Sequence, residues 1–414
     1  MKNSVYITYA GCKVNQFEKS ILIEFFQKAG FSITENPKDA EYIIFNTCAV
    51  TDKAEQGCRQ TISKLHRLNP NAKIILTGCY TEKENNLKDF PGVWKIFTNF
   101  EKIFIPSILT NNEIKNSHPL QFEYTRTYKD RARSFLKIQD GCDAFCSYCI
   151  VPFLRGRPIS MPLELVIKNL HNLRDENEVV LTGIHLGKWG IDINSSFETL
   201  MESIKNEHYP FRIRLSSLEA NEITPTLLQI LSEMENLCHH FHIPLQSGSN
   251  KILKLMKRKY DTSTFEKKIE LIRKFFPNAC IGIDIIVGFP KEDELCFQET
   301  LTLLNNIPID YMHIFTFSPR KGTEAYEYDG KVDRNTAYER YNLLKEIDSK
   351  KRKEFIKRFA NKEVLCIEDK ILDKNTYRVL SREYLKLFIK QEIPKKEFKA
   401  KLIDENTLEA VLVV

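Results

Sequence analysis

Three cysteines, Cys142, Cys146 and Cys149, stand within eight residues of the chain. Their CxxxCxxC spacing puts three thiolates on one short loop, and thiolate-rich loops select iron-sulfur clusters or zinc. Three protein ligands on a 4Fe-4S cluster leave one iron open, and that iron can chelate a small molecule. A zinc site would need a fourth ligand, and structural zinc usually pairs two CxxC units. The loop therefore predicts a cluster with one reactive iron, with zinc as the alternative.

Cys12, Cys48 and Cys79 are far apart in sequence, but each stands just past the end of a predicted strand. Ligand-binding residues of open parallel α/β sheets gather at the carboxyl ends of the strands. The three thiolates could therefore meet and hold a second cluster, although each taken alone is more often a buried, inert cysteine, so the case rests on their shared position. The other cysteines occur singly and are predicted to be structural: Cys58, Cys238, Cys280, Cys296 and Cys366.

The elements around these cysteines predict an α/β protein of three domains. Strands alternating with amphipathic helices in the first hundred residues predict an open parallel sheet, and the polar stretch from Leu109 to Asp130 is typical of a linker. Six further strand and helix units predict a partial (β/α)6 barrel, whose reactive face lies at the carboxyl ends of its strands. A basic helix from Arg340 to Phe359 and five short strands follow, which suit a small β-barrel. The predicted domains are residues 1–112, 128–345 and 346–414.

The composition limits the class of protein. The chain has 414 residues, 42% of them hydrophobic, which is enough for a large core. The apolar runs are short, and no signal-peptide apolar region follows Met1, so we expect a cytoplasmic protein without a membrane segment. Eleven cysteines, an odd number, argue against a disulfide framework. The net charge of +6, with 17 Lys and Arg against 13 Asp and Glu in residues 346–414, favours an anionic partner such as RNA.

Most of the chain resembles the radical SAM methylthiotransferase family, in which SAM is S-adenosylmethionine. The resemblance is carried by these segments: Tyr9 to Gln16, Asn46 to Thr51, Thr77 to Cys79, Cys142 to Arg157, Leu181 to Gly187, His242 to Ser249 and Gly288 to Pro290. It implies that Cys142, Cys146 and Cys149 bind a 4Fe-4S cluster whose open iron holds SAM, and that reductive cleavage of SAM gives a 5′-deoxyadenosyl radical. It also implies a second 4Fe-4S cluster, on the other three cysteines, which carries the sulfur to be inserted.

Within the family, Gly11 to Gln16 and Arg155-Gly156-Arg157 are most similar to the branch that acts on N6-threonylcarbamoyladenosine. That branch inserts a methylthio group at carbon 2 of this nucleoside, just 3′ of the tRNA anticodon (position 37). The branches that act on isopentenyladenosine in tRNA or on a ribosomal protein are the nearest alternatives. A zinc-stabilised RNA-binding module without catalysis is the alternative of another class. The resemblance implies tRNA and an electron donor such as flavodoxin or ferredoxin as partners, and leaves the sulfur donor unknown.

Several polar residues near predicted strand ends are candidate SAM contacts: Thr182, Gly183, Ser216, Glu219, Gln246 and Asp284. Their hydroxyl, amide and carboxylate groups could bind the amino-acid and ribose parts of SAM, although capping of loops explains the hydroxyls equally well. Arg155 and Arg157 are candidates to bind a phosphate or the carboxylate of the threonylcarbamoyl group, with surface solvation as the alternative.

The tail resembles the TRAM domain, a small tRNA-binding β-barrel. Tyr377, Arg378 and Tyr384 could stack on bases and bind phosphates there. The alternative is a barrel that only packs on the catalytic domain.

Overall fold

The computed structural model describes residues 3–83, 85–110 and 133–413. It confirms the predicted α/β class, with an N-terminal parallel sheet, a central partial barrel and a closed C-terminal β-barrel. The predicted linker begins inside a described helix, at Leu109, and its residues 111–130 lie outside the described residues. Among the described residues, no helix is both long enough and apolar enough to cross a bilayer.

The N-terminal domain is an open sheet of five parallel strands flanked by helices. Its elements are β1 (Ser4–Tyr9), α1 (Lys13–Lys28), β2 (Ser32–Ile33), β3 (Tyr42–Thr47), α2 (Asp52–Leu68), β4 (Lys73–Gly78), β5 (Val93–Ile96) and α3 (Ile105–Thr110). The strand order is β2-β1-β3-β4-β5. Ile43, Ile44 and Phe45 in β3 are all buried, as expected for a central strand covered on both faces. The carboxyl ends of β1, β3 and β4 therefore lie side by side at one edge.

The central domain is a curved, open, six-stranded parallel sheet surrounded by helices. Its elements are β6 (Ser134–Lys137), β7 (Gln139–Asp140), α4 (Val151–Arg155), β8 (Ile159–Ser160), α5 (Leu163–Asn172), β9 (Glu178–Thr182), α6 (Phe197–Asn206), β10 (Arg212–Leu215), α7 (Pro225–Ser232), β11 (His240–His242), α8 (Asn250–Leu255), α9 (Thr262–Phe275), β12 (Cys280–Val287), α10 (Glu294–Asn306) and β13 (Tyr311–Thr316). The sheets β6-β9-β10 and β11-β12-β13 are joined by a parallel bridge between Ile213 and Leu237. This confirms the predicted partial (β/α)6 barrel.

Helix α1 connects the first two domains. Its Phe17 and Ile21 are buried in the same hydrophobic cluster as Phe135 and Leu136 of β6. The N-terminal sheet therefore packs against the first strand of the central barrel, and the edge that carries the end of β1 faces the barrel.

A long helix leads from the central domain into the C-terminal barrel. The remaining elements are α11 (Arg334–Lys357), β14 (Glu363–Ile371), β15 (Tyr377–Ser381), β16 (Lys386–Ile389), β17 (Phe398–Asp404) and β18 (Glu409–Leu412). The strands close in the order β14-β15-β16-β18-β17, as the five short strands of the sequence predict. The predicted domain boundary between residues 345 and 346 falls inside α11, so the chain is continuous helix at that point.

The C-terminal barrel covers the amino-terminal ends of the central strands, away from their reactive ends. Arg212 and Arg214 both bind Glu178, with Nε to carboxylate distances of 2.6 and 2.8 Å. They also donate hydrogen bonds to the backbone carbonyls of Leu380 and Ser381 in the C-terminal barrel. Three side chains at the start of central strands thus hold the small barrel in place.

The aromatic and basic residues of this barrel that were suggested above to bind RNA have packing partners within the protein. The ring of Tyr384 stacks on His240 at 4.2 Å, with the guanidinium of Arg214 5.1 Å from its centroid. Arg378 donates to Asp369 at 2.7 Å, and Tyr377 is partly buried against the barrel core. For Tyr384 the expectation of a free stacking surface is wrong, because its ring is sandwiched against the central domain.

Candidate functional site: two cysteine trios

The loop that carries Cys142, Cys146 and Cys149 follows β7 at the carboxyl end of the first barrel strand. Gly141 begins the loop with φ +71, and a Cβ on it would lie 2.1 Å from the carbonyl oxygen of Arg157. The N–H of Cys142 donates to the carbonyl of Gly156 at 2.9 Å. A side chain at residue 141 would prevent this close approach, so glycine is required there.

Nitrogen groups from two other loops lie next to two sulfur atoms of this loop. Arg258 donates from Nη1 to Sγ of Cys146 at 3.4 Å, and Nδ1 of His185 lies 3.3 Å from Sγ of Cys142. Burial raises the pKa of Cys149 to about 12. A bound cation reverses that preference, because a coordinating thiol is deprotonated outright. The loop is thus arranged to hold thiolates on a metal centre.

His185 is fixed in turn by a carboxylate. Its Nε2 lies 2.5 Å from Oε1 of Glu222. Burial alone would lower the pKa of His185, but the hydrogen bonds to Cys142 and Glu222 outweigh burial and raise it to about 9. His185 therefore stands beside the sulfur of Cys142 as a cation with a fixed ring orientation.

The structure brings several of the candidate SAM contacts to the reactive ends of the barrel strands. The hydroxyl of Ser216, after β10, is buried and has no hydrogen-bond partner within the described part of the chain. Thr182 is buried at the end of β9, and a Cβ on Gly183 would lie 2.9 Å from Oε1 of Gln139. Glu219 binds the guanidinium of Arg258, so its carboxylate lies next to the cluster loop. A buried hydroxyl without a partner suits a ligand that supplies one.

Gln246 lies in the loop after β11 and is bridged to β12, the strand that carries Asp284. The backbone of Gln246 has φ +74 and is bonded to both Asp284 and Ile286 of β12. The carboxylate of Asp284 lies 3.1 Å from Nε2 of His242 and 3.2 Å from Nδ1 of His313. Burial alone would raise the pKa of Asp284, but these two imidazoles hold it well below its usual range. His313 was not among the residues predicted from the sequence, although its position two residues after the buried Tyr311 in β13 puts both side chains on one face of the strand.

The second trio gathers at the carboxyl edge of the N-terminal sheet. Cys12 precedes α1, Cys48 follows β3 and Cys79 follows β4. A Cβ on Gly11 would lie 2.5 Å from Sγ of Cys48. Burial, with smaller contributions from the nearby thiols of Cys12 and Cys79, raises the pKa of Cys48 to about 12. The three sulfur atoms thus share one small region.

Asn15, in the first turn of α1, holds two of these loops together. Its Nδ2 donates to the carbonyls of Ala10 at 2.7 Å and Thr47 at 3.0 Å. Ala10 stands two residues before Cys12, and Thr47 stands directly before Cys48. One buried amide therefore fixes the approach of two strand ends.

The spacing of the sulfur atoms distinguishes between a single metal ion and a cluster. Within the described ranges, the one group of three His, Cys, Asp or Glu ligand atoms that all lie within 4.8 Å of one another is His242, Asp284 and His313. A tetrahedral zinc site, with Zn–S bonds of about 2.3 Å, puts its sulfur ligands about 3.8 Å apart. Both cysteine trios are wider than that. They fit a polynuclear iron-sulfur cluster better than a single zinc ion.

Arg155 and Arg157, the candidate substrate contacts, lie in different environments. Arg155 is buried and pairs with Glu18 and Asp140 at 3.1 and 2.9 Å. The prediction that it binds substrate is not supported, because its guanidinium is enclosed between the two domains. The sequence could not reveal this, since Glu18 lies in a distant segment of another domain. Arg157 is exposed on the same loop.

Comparisons with known proteins agree with this geometry. Residues 4–97 match the family described as Uncharacterized protein family UPF0004, and residues 136–304 match the Radical SAM superfamily. The solved structure of the radical S-adenosylmethionine methyltransferase TsrM from Kitasatospora setae has a similar fold, with a TM-score of 0.58 and 12% identity over 79% of this chain and 74% of that one. The fold and the cysteine loop define a radical SAM protein with an additional N-terminal sheet domain.

Proteins related in sequence over most of their length indicate the family within this class. The threonylcarbamoyladenosine tRNA methylthiotransferase MtaB of Aquifex aeolicus is 36% identical over 90% of this chain and 95% of its own length. The MtaB protein of Bacillus subtilis is 31% identical over 92% and 89%. The tRNA-2-methylthio-N(6)-dimethylallyladenosine synthase of Thermodesulfovibrio yellowstonii is 33% identical over 80% and 79%. The chain belongs to the radical SAM methylthiotransferase family, and its resemblance is of the MtaB type.

Proposed function

We propose that this protein inserts a methylthio group at carbon 2 of N6-threonylcarbamoyladenosine, just 3′ of the anticodon in tRNA. The observation that carries the proposal is the presence of two cysteine trios at the carboxyl ends of strands in two domains that pack together through α1. The names of the MtaB relatives support the choice of nucleoside. The zinc-stabilised module is disfavoured, because the relatives are named as methylthiotransferases and because in neither trio do all three sulfur atoms lie within 4.8 Å of one another.

The two trios have separate roles in this proposal. Cys142, Cys146 and Cys149 ligate one 4Fe-4S cluster, and Cys12, Cys48 and Cys79 ligate the other. With SAM, the bound clusters supply radical chemistry at an unreactive aromatic C–H bond and the sulfur atom that replaces the hydrogen. Arg258 and His185 stabilise the thiolates of the first trio through N–H groups directed at sulfur. Glu222 keeps the ring of His185 oriented toward Cys142.

The predicted SAM contacts complete the first site. Thr182, Gly183, Ser216 and Glu219 stand at the ends of β9 and β10, close to the cluster loop, and the partnerless hydroxyl of Ser216 would bond to SAM. Gln246 and Asp284 form the opposite wall. Because a radical activates the C–H bond in this proposal, Asp284 is not needed as an acid or a base. We assign to Gln246 and Asp284 the task of holding the cofactor and the substrate.

Lys13 gives the site a positive charge that suits a threonylcarbamoyl group. It directly follows Cys12 and is exposed. Desolvation by the surrounding protein, together with the nearby Arg133 and Arg214, lowers the pKa of Lys13 to about 8. Within the described residues, no carboxylate forms an ion pair with Lys13. A cation in this position favours a substrate with a carboxylate over the apolar dimethylallyl group.

Anaerobic reconstitution tests this proposal. Two clusters require about eight irons per chain, and the zinc alternative requires none. The reconstituted protein is then incubated with SAM, a reductant and tRNA that carries either threonylcarbamoyladenosine or isopentenyladenosine, and the nucleosides are analysed by mass spectrometry. Methylthiolation of the isopentenyl substrate alone would refute the assignment. We further propose a cytoplasmic location and an electron donor of the flavodoxin or ferredoxin type.

A further inference from the structure

Arg155 connects the two cluster sites through side chains of both domains. It belongs to α4, which directly follows the cysteine loop of the central domain. Its Nη1 donates to Asp140 at 2.9 Å and to Glu18 at 3.1 Å, and its Nη2 donates to Oδ1 of Asn15 at 2.8 Å. Only 4% of its surface is exposed. All of these partners are themselves buried, so the guanidinium has one fixed orientation.

The remaining donor of Arg155 is directed at a cysteine of the other domain. Its Nε–H donates to Sγ of Cys79 at 3.3 Å. Two carboxylates already accept from the terminal nitrogens, so this contact is additional to the ion pairs. Charge-assisted hydrogen bonds to an anion are about twice as strong as neutral ones. Arg155 therefore places an N–H donor and a positive charge directly against the sulfur of Cys79.

Through Asn15 and Asp140, the same side chain also reaches the other loops. Asn15 accepts from Arg155 and donates to the carbonyls that precede Cys12 and Cys48. Asp140 accepts from Arg155 and from the N–H of Gly141, the residue before Cys142. One guanidinium thus contacts the supports of all three N-terminal cysteines and of the first cysteine in the other trio.

Lysines strengthen the connection between the domains. Lys137 of β6 pairs with both Glu18 and Asp140, at 3.2 and 2.9 Å, and Lys102 pairs with Glu18 at 2.5 Å. Removing one partner from a buried ion pair leaves an uncompensated charge and is strongly destabilising. The two domains therefore keep a fixed relative position around Arg155.

We infer that Arg155 is a positioning residue that sets the reduction potential of the N-terminal cluster through its hydrogen bond to Cys79. This inference rests on the proposed function, which makes Cys79 a cluster ligand. A donor to a ligand sulfur and a nearby positive charge both stabilise the more negative, reduced form of a cluster, and hydrogen bonds to sulfur are among the factors that set cluster potentials. The central domain therefore tunes a cluster that it does not ligate.

The test isolates the N-terminal cluster. In a background with Cys142→Ala, Cys146→Ala and Cys149→Ala, the parent protein is compared with Arg155→Gln and Arg155→Lys. Arg212→Lys is the matched control, because Arg212 is an equally buried arginine that pairs with Glu178 away from both trios. Iron and sulfide content, melting temperature and the midpoint potential from an EPR-monitored redox titration are measured for each protein.

We expect Arg155→Gln to lower the reduction equilibrium constant by about tenfold, which is about 59 mV for one electron. Arg155→Lys keeps the charge and should shift the potential less, while the Arg212 control should match the parent. An unchanged potential in Arg155→Gln that retains its cluster overturns the inference. Loss of iron from both Arg155 variants overturns it, because Arg155 would then be needed to retain the cluster and not to set its potential. A background protein that binds no iron would instead refute the second cluster of the proposed function.

Discussion

Gly11 and Cys48 approach so closely that a Cβ on Gly11 would lie 2.5 Å from the sulfur of Cys48. Gly11 also has φ +94, a backbone conformation that residues with side chains rarely adopt. The turn after β1 can therefore pack directly against the sulfur at the end of β3. This contact brings two cysteines from separate strands into one site.

The first prediction concerns this contact. We expect Gly11→Ala to displace the turn that carries Cys12 and to remove the N-terminal cluster, because both the backbone angle and the space exclude a methyl group. Iron content should fall from about eight to about four per chain. Reductive cleavage of SAM should persist while methylthiolation of tRNA is lost. Gly57→Ala is the control, since Gly57 lies in α2 with no atom within 4 Å of an added Cβ. Full iron content in Gly11→Ala would contradict this account.

The second prediction concerns the corresponding glycine, Gly141, at the cysteine loop of the central domain. A Cβ on Gly141 would lie 2.1 Å from the carbonyl oxygen of Arg157. This oxygen belongs to the backbone, so it cannot move aside without distorting the loop. We expect Gly141→Ala to lose the cluster of the central domain and with it the cleavage of SAM. The N-terminal cluster should remain, again with about four irons per chain. SAM cleavage at the parent rate in this variant would show that the loop tolerates a side chain.

Much of the fold could be predicted from the sequence, because its signals are local. The strands of the central and C-terminal barrels follow from short apolar runs, and the meeting of Cys12, Cys48 and Cys79 follows from the rule that ligands gather at the carboxyl ends of parallel strands. The contacts between domains could not be predicted. Arg155 stands near the cysteine loop in sequence, which favoured a substrate role, but its partners Glu18 and Cys79 come from another domain. Nothing in the local pattern around Arg155 indicates burial.

The third prediction addresses the choice of nucleoside. We expect Lys13→Gln to lower kcat/KM for tRNA with threonylcarbamoyladenosine by about tenfold to a hundredfold, since hydrogen bonds to charged groups contribute about 1.5–3 kcal/mol. Lys13→Arg should retain most of the activity because it keeps the charge. SAM cleavage without tRNA reports on the intact clusters and should stay unchanged in both variants. Equal kcat/KM in Lys13→Gln and the parent would exclude Lys13 from substrate binding.

The fourth prediction concerns the joint between the central and C-terminal barrels. Glu178 is fully buried between Arg212 and Arg214. Burial alone would raise the pKa of Glu178, but the two arginines outweigh it and hold the pKa well below its usual range. A carboxylate with a lowered pKa stabilises the folded state above its unfolded pKa of about 4.3, and that contribution is lost as the pH falls toward the folded pKa.

Glu178→Gln should therefore lower the free energy of unfolding at pH 7 by roughly 3–5 kcal/mol, the usual effect of removing one partner from a buried ion pair. The difference between variant and parent should shrink as the pH falls below about 4.3, because Glu178 is then protonated in the unfolded parent while it stays charged in the folded parent, which favours unfolding. Urea denaturation at pH 7 and at several acidic pH values measures both effects. Glu233→Gln is the control, since Glu233 pairs with Lys205 on the surface and its loss should leave the urea midpoint unchanged. If Glu178→Gln shows the parent's stability at pH 7, the contacts of Arg212 and Arg214 with backbone carbonyls hold the joint without the carboxylate.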